Sequence, residues 1–429
     1  MKNTTRNMTA GRPAALLLQF ALPLMAGNLF QEFYTVTDTI IVGQFLGVKA
    51  LAAIGAGGWI TWMMTSAIQG FTQGFSIPAA QAFGAGNHEQ IRKTMGNAAI
   101  LSVFLSIILV TAGEAILHPL LLLLNTPEEI FSTSLLYLRI YYAACPIMMA
   151  YNYAACNLRA LGNSQAPLRA MILASIVNIG LDLLFVGPFH WGVAGAVTAT
   201  VIAQFVAAIY SMYCLLRIDF ICFTREDFRL KPDLCKKLLA LGAPMSLQNI
   251  IISIGGIIVQ FIVNQFGITF IAGFTATNRL YGLIETAGIS YGYAMTTYSG
   301  QNKGAGLYKR IHQGVFAAHI IGLITSVSIS LIMIFFGRSI LSLFIMSLFL
   351  PILYSLHILR SCLMGLGNST IPMCSGIAEL IMRVGSSFLI PMYFGEMNLF
   401  FAEPIAWAGA VAVLFTGYVW CMHQLKTDR

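Results

Sequence analysis

"PAAQAFGAGNHEQIRK", residues 78–93, returns later in the chain as "YSGQNKGAGLYKRIHQ", residues 298–313: a glutamine, a Gly-Ala-Gly three positions on, then basic residues. The shift is about 220 residues, and it also lays "LPLMAGN" (22–28) on "APMSLQN" (243–249), so the chain reads as two tandem halves. Further on, "LRALGNSQAP" (158–167) matches "LMGLGNSTIP" (363–372) at a shift of about 205. The second half is therefore short by roughly 15 residues around "ILSLFIMSLFLPILY" (340–354).

Composition says what the halves are made of. Of 429 residues 58% are hydrophobic and 9% charged, with a mean hydropathy of +0.78. A soluble domain carries about 25% charged residues, so lipid has to cover much of this surface. Apolar segments near the ~20 residues that a bilayer core requires fall at 14–46, 50–76, 94–118, 131–157, 166–187, 192–216, 237–262, 268–297, 312–336, 340–364, 371–394 and 402–424. The expected fold is an all-α integral membrane protein with about twelve transmembrane helices in two six-helix lobes related by a pseudo-two-fold axis. An even number of helices per half makes both halves enter the membrane in the same direction, so that axis lies near the membrane normal. The lobes are placed at 1–216 and 237–429, joined by a linker at 217–236, with the second lobe truncated near 340–355 and its tenth helix shortened.

Lysine and arginine gather in alternate connections: Lys2, Arg6 and Arg12; Arg92 and Lys93; Arg159 and Arg169; Arg225, Arg229, Lys231, Lys236 and Lys237; Lys303, Lys309 and Arg310; Lys426 and Arg429. The other connections carry acids such as Glu128, Glu129, Glu396 and Glu403. The positive-inside rule then predicts a multi-pass protein of the cell (inner) membrane with both termini cytoplasmic. Loop distribution accounts for the net charge of +8, so no nucleic-acid partner is expected. The basic start "MKNTTRNMTAGRP" runs into an apolar segment with no small-residue cleavage site, which reads as a retained first helix. The linker "RIDFICFTREDFRLKPDLCKK" reads as a solvated surface segment facing lipid headgroups. The eight cysteines are scattered and read as small apolar helix residues. HExxH, P-loop and GxSxG patterns are missing, so neither an enzyme nor a cofactor is expected.

Acids inside the spans are the informative exceptions. "EFYTVTDTIIVG", Glu32 to Gly43, places two carboxylates in a run with no other formal charge between Arg12 and Lys49. An aspartate at the centre of a membrane helix costs roughly 2.5–3.5 kcal/mol on insertion scales. "SIVNIGLDLLFVGPFHWGVAGAVTATVIAQ" reads as a helix, a turn and a returning helix, with Asn178 and Asp182 on one face. At 1.5 Å per residue, Asp38 and Asn178 lie about 13 Å from the outer turns, Thr200 about 12 Å and Asp182 about 8 Å. Two carboxylates, an amide oxygen and a hydroxyl are hard oxygen ligands suited to sodium or a shared proton. Closely spaced carboxylates cannot easily both ionise without a cation. The repeat places Asp38 near Val259 and Asp182 on Ser387, so the expected cation site belongs to the amino-terminal half alone.

Other polar residues suggest narrower roles. Glu379 and Arg383, four apart, are expected to pair within the membrane. Glu285, alone in "RLYGLIETAGISYGY", is a candidate for attracting a cationic substrate, and Glu32, about 120° around the helix from Asp38, is a candidate for lining its path. Pro23 is expected to kink the first helix with a gating role. Gly43 and Gly47, Gly70 and Gly74, and Gly288 and Gly292 have ordinary helix-packing spacing.

"YTVTDTIIVGQFLGVKALAAIG", the repeated Gly-Ala-Gly after glutamine, "NLRALGNSQAP", "NIGLDLLFV" and "WGVAGAVTATVIAQ" together resemble the multidrug and toxic compound extrusion (MATE) family of the flippase and exporter superfamily. The likeness runs through nearly the whole chain. It implies twelve helices in two lobes, alternating access, and export of amphipathic, often cationic compounds driven by sodium or proton entry. The family's amino-lobe cation site falls on Asp38, Asn178, Asp182 and Thr200 here, with Asn152 on the fourth helix as a further member. Some members use a carboxylate on helix seven instead; "PMSLQNIIISIGG" offers none. The family's tenth helix is complete, unlike this one.

The function expected is a monomeric secondary antiporter in the lipid bilayer. Na⁺ or H⁺ binds at Asp38 and Asp182, and small-molecule organic cations are held near Glu32, Asp38 or Glu285. The alternatives are a lipid-linked oligosaccharide flippase, which would favour a more cationic central cavity, and a transport-impaired membrane scaffold.

Overall fold

A computed structural model describes residues 5–124, 126–263, 265–266, 268–336 and 346–427. In chain order the helices are α1 (Pro13–Ala56), α2 (Gly58–Gly84), α3 (His88–Leu123), α4 (Glu128–Ala143), α5 (Cys145–Ala160), α6 (Gln165–Val186) and α7 (Gly192–Leu216). They are followed by α8 (Pro232–Val263), α9 (Ile268–Gly304), α10 (Tyr308–Phe336), α11 (Leu350–Gly365), α12 (Thr370–Phe394) and α13 (Ala402–Thr427). Short 3-10 turns cover Arg225–Phe228 and Glu396–Phe401, and no strand occurs among the described residues. The first span ends at Gly47 inside α1, whose φ of +78° and ψ of −174° break the helix. The fourth span consists of α4 and α5, which meet at Ala144 just before Pro146.

The repeated Gly-Ala-Gly has the same two uses in each half. The second glycine, Gly86 or Gly306, turns the chain in the left-handed region (φ +70° and +71°), where a β-carbon is disfavoured. The first allows close approach: a β-carbon on Gly84 would overlap the backbone carbonyl of Gln301, and one on Gly304 the carbonyl of Gln81. Each copy of the motif thus seats its glycine on the other copy's glutamine, joining the lobes at the end that carries the basic loops. Along the same seam, Gly70 on α2 leaves no room for a side chain against Ser246 of α8, nor does Gly74 against Gly242. Small residues let these backbones touch where lipid supplies no hydrophobic drive for association.

The amino-terminal segment closes the mouth of this seam. Met8 is fully buried (0% exposed). Its N–H donates to Gln301 Oε1 at 2.8 Å, and its carbonyl accepts from Asn302 Nδ2 at 3.1 Å. The Arg6 backbone lies against Gly162 of the amino lobe, and Gly11 O accepts from Arg310 Nη2 at 2.9 Å. The first turns of α1 then pack into the carboxy-lobe core, with Leu17 and Phe20 among Tyr291, Tyr354 and Trp407. Its far end joins the amino lobe, where Ile41 and Val42 meet Val186 and Ala196.

The described residues bear on three expectations. First, α1 runs through Pro23 with helical backbone, and its one non-helical residue is Gly47, so the proline removes a donor without breaking the helix. Flanking helices can support a freed backbone group within a membrane. Second, the linker is more than a solvated surface. Thr224 and Asp227 cap each other in a capping box, Asp227 is buried beside Arg92 at 3.5 Å, and Asn97 of α3 holds the Asp227 and Arg229 carbonyls and the Lys231 N–H. Third, Arg159, counted among the basic loops, belongs to the last turn of α5 and lines an interior cavity.

The tenth span is described only from residue 346, and residues 346–348 are helical ahead of α11. The described helix α11 has 16 residues, about 24 Å at 1.5 Å per residue, against a hydrocarbon core of about 30 Å. Residues 340–345 of the expected deletion region lie outside the described residues. The α12–α13 connection is longer than its amino-lobe counterpart. Its 3-10 turn lays Leu399 and Phe400 on Val259, Val263 and Phe274, and Phe401 stands 6.3 Å from Phe349 just before α11.

Candidate functional site

Asp38 on α1, Asn178 and Asp182 on α6 and Thr200 on α7 converge within the amino lobe. Asn178 and Asp182 are one turn apart on α6, and both are buried, at 1% and 0% exposure. Asn178 Nδ2 donates to Thr200 Oγ1 at 3.4 Å, and Thr200 also donates to Ala196 O at 3.2 Å. The Asp38 and Asp182 carboxyl groups face each other, with Asn178 beside Asp182. Even so, Asp38 Oδ1, Asn178 Oδ1 and both carboxylate oxygens of Asp182 are buried without a donor. Four orphaned acceptor atoms in one place would cost about 1–3 kcal/mol each, more when charged, unless a cation or proton satisfies them. The cluster's oxygens suit Na⁺ as well as H⁺. No group of three or more His, Cys, Asp or Glu side chains with metal-ligand geometry occurs among the described residues, which leaves amide and hydroxyl oxygens to complete any ion shell.

One turn below Asp38, α1 forms a wall of an adjoining cavity of about 130 Å³. Gln31 and Tyr34 of α1, Gln69 of α2, Tyr141, Tyr151 and Asn152 of the fourth span, Thr200 and Gln204 of α7, and Tyr293 of α9 give it a polar aromatic lining. Thr200 belongs to both the cavity wall and the oxygen cluster, so an ion and a bound molecule would be neighbours. Asn152 faces the cavity while its amide donates to Met148 O at 2.9 Å. Glu32, about 100° around α1 from Gln31, is not on this wall, nor is Glu285. The lining contains one formal charge, Arg159.

Among the described residues, the carboxy lobe has no copy of the oxygen cluster. Instead it holds an ion network across α11, α12 and α13. Glu379 accepts from Arg360 Nη2 and Arg383 Nη2, each at 2.7 Å, and Arg383 also meets Glu403 at 2.9 Å. Glu285 pairs with His357 at 3.3 Å alongside. Every charge in the Arg–Glu network has an opposite partner, so it is internally neutral and leaves no carboxylate waiting for an ion.

Comparison with known proteins fits this architecture. The MatE family profile matches residues 23–184 and 244–389, one stretch in each half. This chain belongs to the MatE family. Among curated relatives, the probable multidrug resistance protein YpnP of Bacillus subtilis (strain 168) is 30% identical over 305 residues, covering 71% of this chain and 68% of the relative. The probable multidrug resistance protein NorM of Thermotoga maritima is 25% identical over 424 residues, 92% and 88% of the two chains. A protein of Shewanella oneidensis named FAD transporter is 26% identical over 336 residues, covering 77% of this chain and 74% of its own. Among solved structures, an outward-facing multidrug resistance MATE family transporter superposes with a TM-score of 0.92 over 100% of this chain and 99% of its own, at 22% identity. That last likeness is one of fold. As a MatE chain the protein is a multi-pass membrane transport protein and not an enzyme.

In this MatE chain the structure brings together Asp38, Asn178, Asp182 and Thr200, as their spacing and depth suggested, and places Asn152, which the resemblance implied, on the wall of the adjoining cavity. Sequence reasoning missed Arg360 and Glu403 as partners of Glu379 and Arg383, and missed Arg159. A signal was available for Arg159: it lies in the last turn of α5, ahead of the turn at Gly162, and so belongs to the span rather than the loop.

Proposed function

We propose that this MatE chain is a secondary antiporter that exports amphipathic small molecules across the cell membrane in exchange for inward Na⁺ or H⁺. The observation that carries it is the fully buried Asp182, with neither carboxylate oxygen hydrogen-bonded, beside Asp38 and the orphaned Asn178 amide oxygen. Such a site gains a cation when it opens to the side where cations are abundant. The names of the relatives YpnP and NorM, each a "probable multidrug resistance protein", support export of foreign compounds. With the basic loops and both termini cytoplasmic, the Gly84–Gly304 seam is the inner gate, and the chain works as a monomer. Because Thr200 is shared by cluster and cavity, ion binding changes the wall that holds the cargo, and coupling needs only different affinities in the two facing states. The expectation of organic cations rests on Glu32, Asp38 and Glu285. None of them lines the cavity, so the polarity of the exported group has to come from the wall itself.

The test is flux in vesicles of purified protein with sodium and pH gradients imposed separately, using cationic, zwitterionic and anionic fluorescent dyes. Asp38→Asn and Asp182→Asn are each expected to cut gradient-driven flux at least tenfold while the protein stays folded. Undiminished flux in both variants would remove the coupling role. Absence of flux under both gradients would favour the transport-impaired scaffold. A lipid-linked oligosaccharide flippase has to neutralise a diphosphate, and a wall with one guanidinium is poorly suited to that.

A further inference from the structure

We propose that Arg159 sets the specificity of the amino-lobe cavity, and that the compound seated there is aromatic and carries one anionic group, a carboxylate or phosphate, held by this guanidinium. The proposal rests on the export reading only in calling that compound cargo; the binding itself does not need transport.

Arg159 stands at the floor of the cavity and also lines a smaller space of about 20 Å³ beneath it, between α2, α5 and α9. Its backbone is held by α9 of the other lobe: Thr297 Oγ1 donates to the Arg159 carbonyl at 3.2 Å, and Gln301 Nε2 to the next carbonyl, Ala160 O, at 2.9 Å. The guanidinium lies 4.4 Å from the Tyr293 ring centre and donates from Nη2 to Cys156 Sγ at 3.0 Å. The ionisable groups facing it are Cys156, Tyr293 and Tyr151, and it forms no ion pair with a carboxylate among the described residues. This sets it apart from Arg360 and Arg383, which are buried and each hold a glutamate at 2.7 Å, whereas Arg159 is half-buried at the cavity.

A place in the last turn of α5 suits an arginine through the helix dipole, but half a charge spread over the helix end does not neutralise a guanidinium in a membrane interior. A carboxylate or phosphate arriving with the bound molecule would. Arginine offers a planar fork of donors that matches either group bidentately, and Tyr293 already holds one face of it. Above this fork the wall supplies what an aromatic body needs: the rings of Tyr34, Tyr141 and Tyr151 for stacking, and the amides of Gln69 and Gln204 for polar ring edges. An organic cation in the same place would meet the guanidinium as a like charge, with no carboxylate on the wall to offset it.

Binding to the purified protein in nanodiscs tests this without any gradient. Three probes share one ring and differ in charge: 2-naphthoate, 2-naphthamide and 2-naphthylmethylammonium, with empty nanodiscs subtracted. Wild-type protein is expected to bind the naphthoate at least tenfold tighter than the ammonium. Arg159→Gln should abolish that preference and leave naphthamide binding within about twofold, and Arg159→Lys should restore part of it. Nanodiscs with and without phosphatidylglycerol separate the two sources of the anion: if a lipid headgroup is the occupant, the anionic lipid will compete the naphthoate away, whereas a soluble anion will bind alike in both. A wild-type preference for the ammonium overturns the proposal even if Arg159→Gln does not fold, as does a preference for naphthoate that survives in a folded Arg159→Gln protein. Failure of gradient-driven flux would overturn the antiporter and leave this binding result standing.

Discussion

Glu379→Gln is expected to destabilise the protein by about 3–5 kcal/mol, seen as a large drop in the thermal unfolding midpoint of the detergent-solubilised chain. Glu379 is the shared acceptor of Arg360 and Arg383. Arg383 would keep Glu403 at 2.9 Å, but Arg360 would be left with Ser375 Oγ at 3.4 Å. The cost thus comes from a guanidinium stranded in the carboxy lobe, not from the value of one hydrogen bond. Removing both members of that pair should be milder than removing one: the double change Arg360→Leu with Glu379→Leu leaves Arg383 and Glu403 as a matched pair, and is expected to be more stable than Glu379→Gln alone. A Glu379→Gln protein that melts with the wild type would show that water reaches Arg360 and that the network is not closed.

Valine at Gly84 or at Gly304 is expected to prevent closure of the seam between the lobes, lowering flux at least tenfold. Each added side chain would strike the backbone of the opposite repeat, at Gln301 or Gln81, and backbone cannot swing aside as a long side chain can. The readout is maleimide labelling of Cys156, which is buried beside Arg159, followed by mass spectrometry. Labelling should rise in both variants. Because the two contacts are reciprocal, Gly84→Val and Gly304→Val should have similar effects, and the double variant should add little. Wild-type labelling and flux in both would show that the lobes meet elsewhere during transport.

The helices were legible because membrane burial writes them in long apolar runs: the expected 192–216 is α7 (Gly192–Leu216), and 370–394 differs from its expectation by one residue. The repeat was legible because the same turn and the same close approach demand glycine twice. Asp38, Asn178, Asp182 and Thr200 were found because depth can be counted from a turn at a fixed rise per residue. Arg360 and Glu403 were not, since their meeting with Glu379 and Arg383 depends on which helix faces which, and no spacing within a helix records that. Arg159 failed for a different reason: a basic residue near a span's end counts as a loop charge under the positive-inside rule whichever way its side chain points. Gly47, just past the end of the expected first span 14–46, is the break in α1, so that boundary was legible too.

The hydrogen bond from Met8 to Gln301 joins residues 293 positions apart. At about 5–20 residues per second of synthesis, roughly 15–60 s separate the emergence of the two. During that interval the amino lobe can be made and inserted, but the strand that will close its mouth has nothing to bind. Lobe-to-lobe docking is therefore a late event in the birth of the molecule. The nascent amino-terminal lobe must wait in the bilayer with its seam-facing glycines exposed to lipid until the second copy of the motif arrives.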